Sequence, residues 1–335
     1  MIRFFRSSFL IQYIAAFALG VMLWMPAMLK AVPASPAFDN EPFYKLLLII
    51  PFTSLPVLAV LSAFVLMLVS GYLLNAILSL YLLTPRTSTY GLLFWVVVSG
   101  SFPAAMSFQP LWPALMLLLF ALNLAFSMYE QENINFKLFN FGMLTAFSGM
   151  IHGGAWVFVL WVLSILFILR LNRLREWLIP FLGFFVPIIY LLIVWFLQNR
   201  VITNLGHFLF AFAEGFSVPQ LPSPTQIGIF VFLIALFFNA LTFNYSLQAD
   251  RNIAVRKRKA MLNAFLLIAL LAFIVRDDSF QSNALVIIPL SAHLAIWAGS
   301  LNRAARPSIV VWLFILLSAA NNFLYFFGHA QSPLR

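Results

Sequence analysis

The sequence predicts an all-α fold, a polytopic bundle of membrane-spanning helices forming a single domain over residues 1–335, and three observations carry that prediction. Hydrophobic residues make up 64% of the chain and charged residues 8%, whereas soluble domains run at about 45–50% apolar and about 25% charged. The mean hydropathy is +1.01, so the polar residues present cannot cover an aqueous surface. The charges also fall in short clusters separated by apolar runs of about 20 residues, the length needed to cross a bilayer as a helix.

About eleven spans are expected, near residues 9–29, 53–75, 89–106, 110–128, 138–151, 155–170, 177–198, 226–247, 260–275, 284–301 and 308–327. Helix is favoured over strand because the runs are too long and too uniformly apolar for a barrel, and because each segment must satisfy its own backbone in lipid. The first run follows Arg3 and Arg6 like a secretory signal, but its length is that of a span, so it is expected to stay as an uncleaved anchor. The stretch 46–83 is too long for one span and too short for two. It is divided into an outer interfacial helix at about 42–51, one span, and an inner interfacial turn at 79–88. The short runs on either side of His152-Gly153-Gly154 are expected to form a hairpin that stops short of the far interface. Prolines inside runs, Pro103 and Pro187 among them, are expected to kink helices.

Orientation follows from the positive-inside rule. With the N-terminus cytoplasmic, fourteen cations fall inside, including Arg3, Arg6, Arg170, Arg173, Arg175 and the run Arg256 to Lys259. Five fall outside, namely Lys30, Lys45, Arg200, Arg276 and Arg335, which completes the 19 of the chain. The prediction is N-in and, with an odd number of spans, C-out. A net charge of +10 would suggest nucleic acid in a soluble protein, but here the basic residues lie beside apolar spans, where membrane lipid headgroups are the nearer partner. No nucleic-acid role is assigned. The absence of cysteine excludes disulfides, thiolate metal sites and cysteine nucleophiles. Walker, dinucleotide-binding, nucleophile-elbow and HExxH motifs are all absent.

Five of the nine acids, Asp39, Glu41, Glu214, Asp277 and Asp278, fall on the outer side. That side is where a polar site is most easily assembled. Asp39-Asn40-Glu41 reads either as a solvated turn or as a carboxylate pair that holds a divalent metal ion and divides base and ligand roles. Arg276-Asp277-Asp278 reads either as an interfacial salt bridge or as a group binding phosphate and metal. Arg200, His207 and Glu214, spaced by seven, lie on one face of an amphipathic helix, which is either an interfacial helix or part of the same substrate-binding surface. His293 lies near the middle of its span, and with Asn75, Asn123, Asn321 and Asn322 it reads first as an interhelical hydrogen-bonding group.

With Asp39-x-Glu41 in the first outer loop, an interfacial helix after it and about eleven spans, the layout resembles the C-type, polyprenyl-phosphate-dependent membrane glycosyltransferases. That resemblance implies catalytic or metal-binding roles for Asp39 and Glu41. Many members of the family also carry a large C-terminal outer domain, and no polar stretch of that size is found within residues 1–335. Arg3-Phe4-Phe5-Arg6, Leu83 to Thr87, Arg175-Glu176-Trp177 and Pro289-Leu290-Ser291 also make the chain similar to an uncharacterised bacterial family of polytopic inner-membrane proteins. The leading expectation is therefore a bacterial inner-membrane protein acting on a polyprenyl-phosphate-linked saccharide at the outer face, with phosphate held by Arg200 or Arg276. The alternatives are a transporter or flippase, motivated by His152 and His293, and a non-catalytic subunit whose basic cytoplasmic loops dock a protein partner.

Overall fold

The structure is a computed structural model and describes residues 1–31, 55–129, 133–206, 227–228, 231–238, 252–275, 284–301 and 305–328. Every regular element among the described residues is helical. A short 3-10 turn, Phe4–Arg6, precedes α1 (Leu10–Leu29), followed by α2 (Pro56–Leu80), α3 (Tyr90–Ser99), α4 (Leu111–Ser127) and α5 (Asn135–Ile151). A 3-10 segment Gly153–Phe158 leads into α6 (Val159–Leu169), then α7 (Leu174–Leu197), α8 (Ile253–Val275), α9 (Ile287–Ser300) and α10 (Ala305–Phe323). Residues 201–206 and 231–238 are also helical.

Four helices are long and apolar enough to cross a membrane: Leu10–Leu29, Pro56–Leu80, Leu174–Leu197 and Ser308–Phe327. Their outer faces carry large exposed side chains, such as Phe17, Leu182, Tyr190, Phe196 and Leu316. An apolar surface of this extent marks a membrane or protein contact, and the length and composition of these helices fit a membrane. The interior contains the short elements, and every residue of α3 and nearly all of α9 are buried.

Lipid is as apolar as leucine, so helices here gain little from burial itself and depend on close approach and hydrogen bonds. Small residues make that approach possible. A Cβ on Gly142 of α5 would lie 1.9 Å from the carbonyl oxygen of Pro180 in α7, and one on Gly183 would lie 2.0 Å from the carbonyl oxygen of Phe139. The two backbones therefore touch directly. Gly71 of α2 leaves the slot in which the Trp95 indole of α3 lies, and Trp95 Nε1 donates to the Met67 carbonyl at 2.8 Å. Asn75 Oδ1 of α2 accepts from the Gly91 N–H at 3.0 Å, supplying a partner to one of the donors that the first turn of α3 leaves open.

The element boundaries correct two expectations. The run 89–106 is not one helix, because α3 ends at Ser99 and irregular backbone with one 3-10 turn, Pro103–Ala105, continues to Pro110. Pro103 supplies no N–H, and it drives Phe102 out of the helical region to φ −111° and ψ 80°. Helix α8 begins at Ile253 rather than near 260, because Asn252 Oδ1 accepts the Ala254 N–H at 2.9 Å and caps the helix there. The basic run Arg256 to Lys259 is thus the opening of a helix and not a loop. Short helical elements flank His152, while the expected interfacial helix at 42–51 lies outside the described residues.

Candidate functional site

Of the residues singled out by sequence, Arg200 is described and exposed beyond the end of α7. Asn199 there takes a left-handed φ of 56°, and the Arg200 N–H bonds the Trp195 carbonyl at 3.0 Å, a Schellman closure. Asp39, Glu41, His207, Glu214, Arg276, Asp277 and Asp278 lie outside the described residues. No group of three His, Cys, Asp or Glu gathers among the described residues. Two other constellations are built by the described helices, one at each level of the bundle.

The first is basic. Helices α2, α4 and α6 bring their C-terminal carbonyls to the end of the bundle where α8 starts. Arg258 Nε donates to the Phe126 carbonyl at 3.3 Å and its Nη1 to the Tyr81 carbonyl at 3.4 Å. Its guanidinium also lies 4.8 Å from the centre of the Tyr81 ring. The Tyr81 hydroxyl in turn donates to Asn123 at 3.1 Å. Lys257 Nζ donates to the Ile168 carbonyl at the end of α6, and Lys137 Nζ to the Ser127 carbonyl at 3.3 Å. Each cation thus meets the negative end of a neighbouring helix dipole, which offsets its unfavourable place near the start of its own helix. Burial and the charge of Arg170 push the Lys257 ammonium, which precedes the apolar part of α8, below its ordinary range.

The second constellation lies deeper, where α3 breaks. Asn322 Nδ2 of α10 donates to two carbonyls at once, Gly100 at 2.8 Å and Leu23 at 3.0 Å. One turn earlier on α10, Ser318 Oγ meets Ser101 Oγ at 3.1 Å. Asn321, Asn322, Ser318, Ser101 and Trp24 are all buried. Helix α3 starts beside Phe5 at the basic end, where the Thr89 N–H bonds the Phe5 carbonyl. Its ten residues rise about 15 Å from there, about half the roughly 30 Å thickness of a bilayer core. Irregular backbone at such depth occurs only inside protein or beside a polar cavity.

His293, buried on α9, packs its ring edge-on against Phe237 at 5.5 Å, and His152 is buried beside the Gly153–Phe158 segment. No protein-family model matches the chain, and comparison with curated proteins and with solved structures finds no match. Sequence reasoning finds the basic run and names Asn322 as an interhelical residue, but it misses the break. The signal is present as Ser99-Gly100-Ser101-Phe102-Pro103 inside an otherwise apolar run, a cluster of turn formers that reads equally as a kink.

Proposed function

We propose that the chain is an eleven-pass protein of the bacterial inner membrane, N-in and C-out, that handles a polyprenyl-phosphate-linked saccharide at its outer face. The topology in this reading rests on the partition of charge in the folded bundle, and its substrate class on the resemblance of the Asp39-x-Glu41 layout. Arg258, Lys257 and Lys137 meet helix ends at one level, and Arg3, Arg6 and Arg86 adjoin the Phe5–Thr89 contact there. Lys30 and Arg200 end helices that run away from that level. This is the positive-inside pattern.

Chain direction supports the pass count. Helices α1, α3, α5, α7, α8 and α10 lead away from the basic end, and α2, α4, α6 and α9 lead back. Two consecutive outward helices, α7 and α8, need an odd number of return passes between them, and on this reading the expected span 226–247 is that pass. In the sequence Asp39 and Glu41 follow α1, which leads away from the basic end. On this reading Asp39 is the base or metal ligand, Glu41 assists, and Arg200 or Arg276 holds phosphate. Complementation of a deletion strain by Asp39→Ala and Glu41→Ala variants tests it, together with mass spectrometry of lipid that copurifies with the wild type. Full complementation by both variants, with no polyprenyl lipid bound, refutes the reading.

A second reading, a transporter or flippase, is favoured by the break in α3, since interrupted helices at mid-depth commonly line substrate paths. It predicts counterflow of substrate in proteoliposomes. The reading as a docking subunit loses ground because Lys257 and Arg258 are already bonded to carbonyls, which withdraws them from the exposed cations near that end, Arg173, Arg175 and Arg256 among them.

A further inference from the structure

The α1/α3/α10 junction carries an inference that is independent of either functional reading. The orientation of the Asn322 amide is fixed by its partners, because Leu23 and Gly100 both present carbonyl oxygens and only the nitrogen can donate to them. Asn322 Oδ1 is therefore held on the other side of the amide, where it is buried and has no partner among the described residues. The neighbouring Asn321 Nδ2 is likewise buried and unpartnered among them. So is Nε1 of Trp24, next to the Leu23 whose carbonyl Asn322 grips. Trp24 is 0% exposed. A buried polar group without a partner is destabilising, and these three belong to α1 and α10, the helices that the Asn322 amide ties together.

The chemistry of the open groups selects the ligand class. Two are donors and one is an acceptor, so a bare cation would leave the N–H groups unmet. An anion is disfavoured by the junction's position at the C-terminus of α3, where the helix dipole is negative. A neutral hydroxyl both donates and accepts. We propose that this junction is an internal hydration site, in which one or more ordered waters bond Trp24 Nε1, Asn321 Nδ2 and Asn322 Oδ1 near the middle of the membrane. A buried water makes about three hydrogen bonds, and the junction presents groups of both polarities to make them. The site gives the break in α3 a polar interior, while the flanking Trp24, Phe64 and Trp112 rings, packed 5.6 and 5.7 Å apart around Trp24, enclose it in aromatic surface.

The tryptophans themselves supply the test. Trp95 and Trp112 are as buried as Trp24, all three being 0% exposed, but their indole N–H groups are satisfied by Met67 and Ala105 carbonyls at 2.8 Å. X-ray radiolytic footprinting of the full chain in detergent generates hydroxyl radicals from water in place, and mass spectrometry reads the oxidation of each indole. Trp24 is expected to oxidise several-fold faster than Trp95 and Trp112, and Asn322→Leu or Asn321→Leu is expected to slow it towards their rates. Equal oxidation of the three indoles in the wild type overturns the proposal without recourse to any variant. Unchanged Trp24 oxidation in a folded Asn322→Leu protein overturns it as well.

Discussion

Replacing Gly142 by alanine should unseat the α5–α7 crossing, and the structure fixes the scale. The added Cβ would lie 1.9 Å from the Pro180 carbonyl oxygen, whereas real Cβ contacts essentially never fall below 3.0 Å. The difference is 1.1 Å, and the obstacle is backbone, which cannot swing aside like a side-chain tip. If the helices part by about 1 Å, contacts along the seam lose a quarter to a half of their dispersion energy. For some 40 atom pairs at about 0.15 kcal/mol each, that loss is about 1.5–3 kcal/mol. Alanine regains about 1 kcal/mol of helix propensity over glycine, leaving a net destabilisation of about 0.5–2 kcal/mol. Unfolding in mixed micelles, followed by tryptophan fluorescence, measures it. Gly206 is the control, since nothing lies within 4 Å of where its Cβ would stand and it is helical, so Gly206→Ala should be neutral or stabilising. Gly183→Ala should resemble Gly142→Ala, and the double variant should cost less than the two combined, because helices already parted admit the second methyl. A wild-type midpoint for Gly142→Ala, or strict additivity, would refute the direct backbone contact.

Other expectations follow from the caps and the charge partition. Arg258→Leu should lower stability by about 1–2 kcal/mol by withdrawing a cation from two helix C-termini and from the Tyr81 ring, and a thermal melt at the wild-type temperature would show those contacts to be idle. Asn75→Leu should cost about 0.6–1.7 kcal/mol, the range of interhelical hydrogen bonds in membranes, in the same unfolding assay. Leu82 holds a left-handed φ of 59° at the end of α2, so Leu82→Gly should raise the unfolding midpoint by relieving about 1 kcal/mol of strain. Because the chain contains no cysteine, single reporters need no altered background. Arg200→Cys should react with an impermeant maleimide in intact cells and Arg173→Cys only after lysis, and the reverse pattern would invert the proposed topology.

The helical class and most element positions are legible in the sequence because hydropathy alone decides what lipid will accept. Helix α1 follows its expected run to within a residue, and α4 and α7 come close. What hydropathy does not encode is the depth at which a helix stops. Tyr90 to Met106 is mostly apolar, yet the helix ends at Ser99, since the break is specified by proline geometry and by the distant amide of Asn322. The start of α8 escapes the sequence for a related reason. Four successive cations look like a loop when their partners are unknown, and the carbonyls of Phe126, Tyr81 and Ile168 explain the place of two of them, Lys257 and Arg258, in a helix. The expected site is the least legible part, because acids scattered over three loops have no local signal that joins them, and Arg200 is the member of that set within the described residues.

The enclosure of α3 also orders events in time. At ten residues this helix is too short to hold itself across a bilayer, and its walls include α9, made nearly two hundred residues later, where Ser291 Oγ meets the Phe94 carbonyl at 3.4 Å. The Ile2 N–H likewise waits for Ser308 Oγ, 306 positions on. The opening third of the chain therefore leaves the ribosome as an unfinished ring that only the closing third completes. A nascent chain truncated before Ile287 would present an unclosed interior to whatever machinery surveys the membrane.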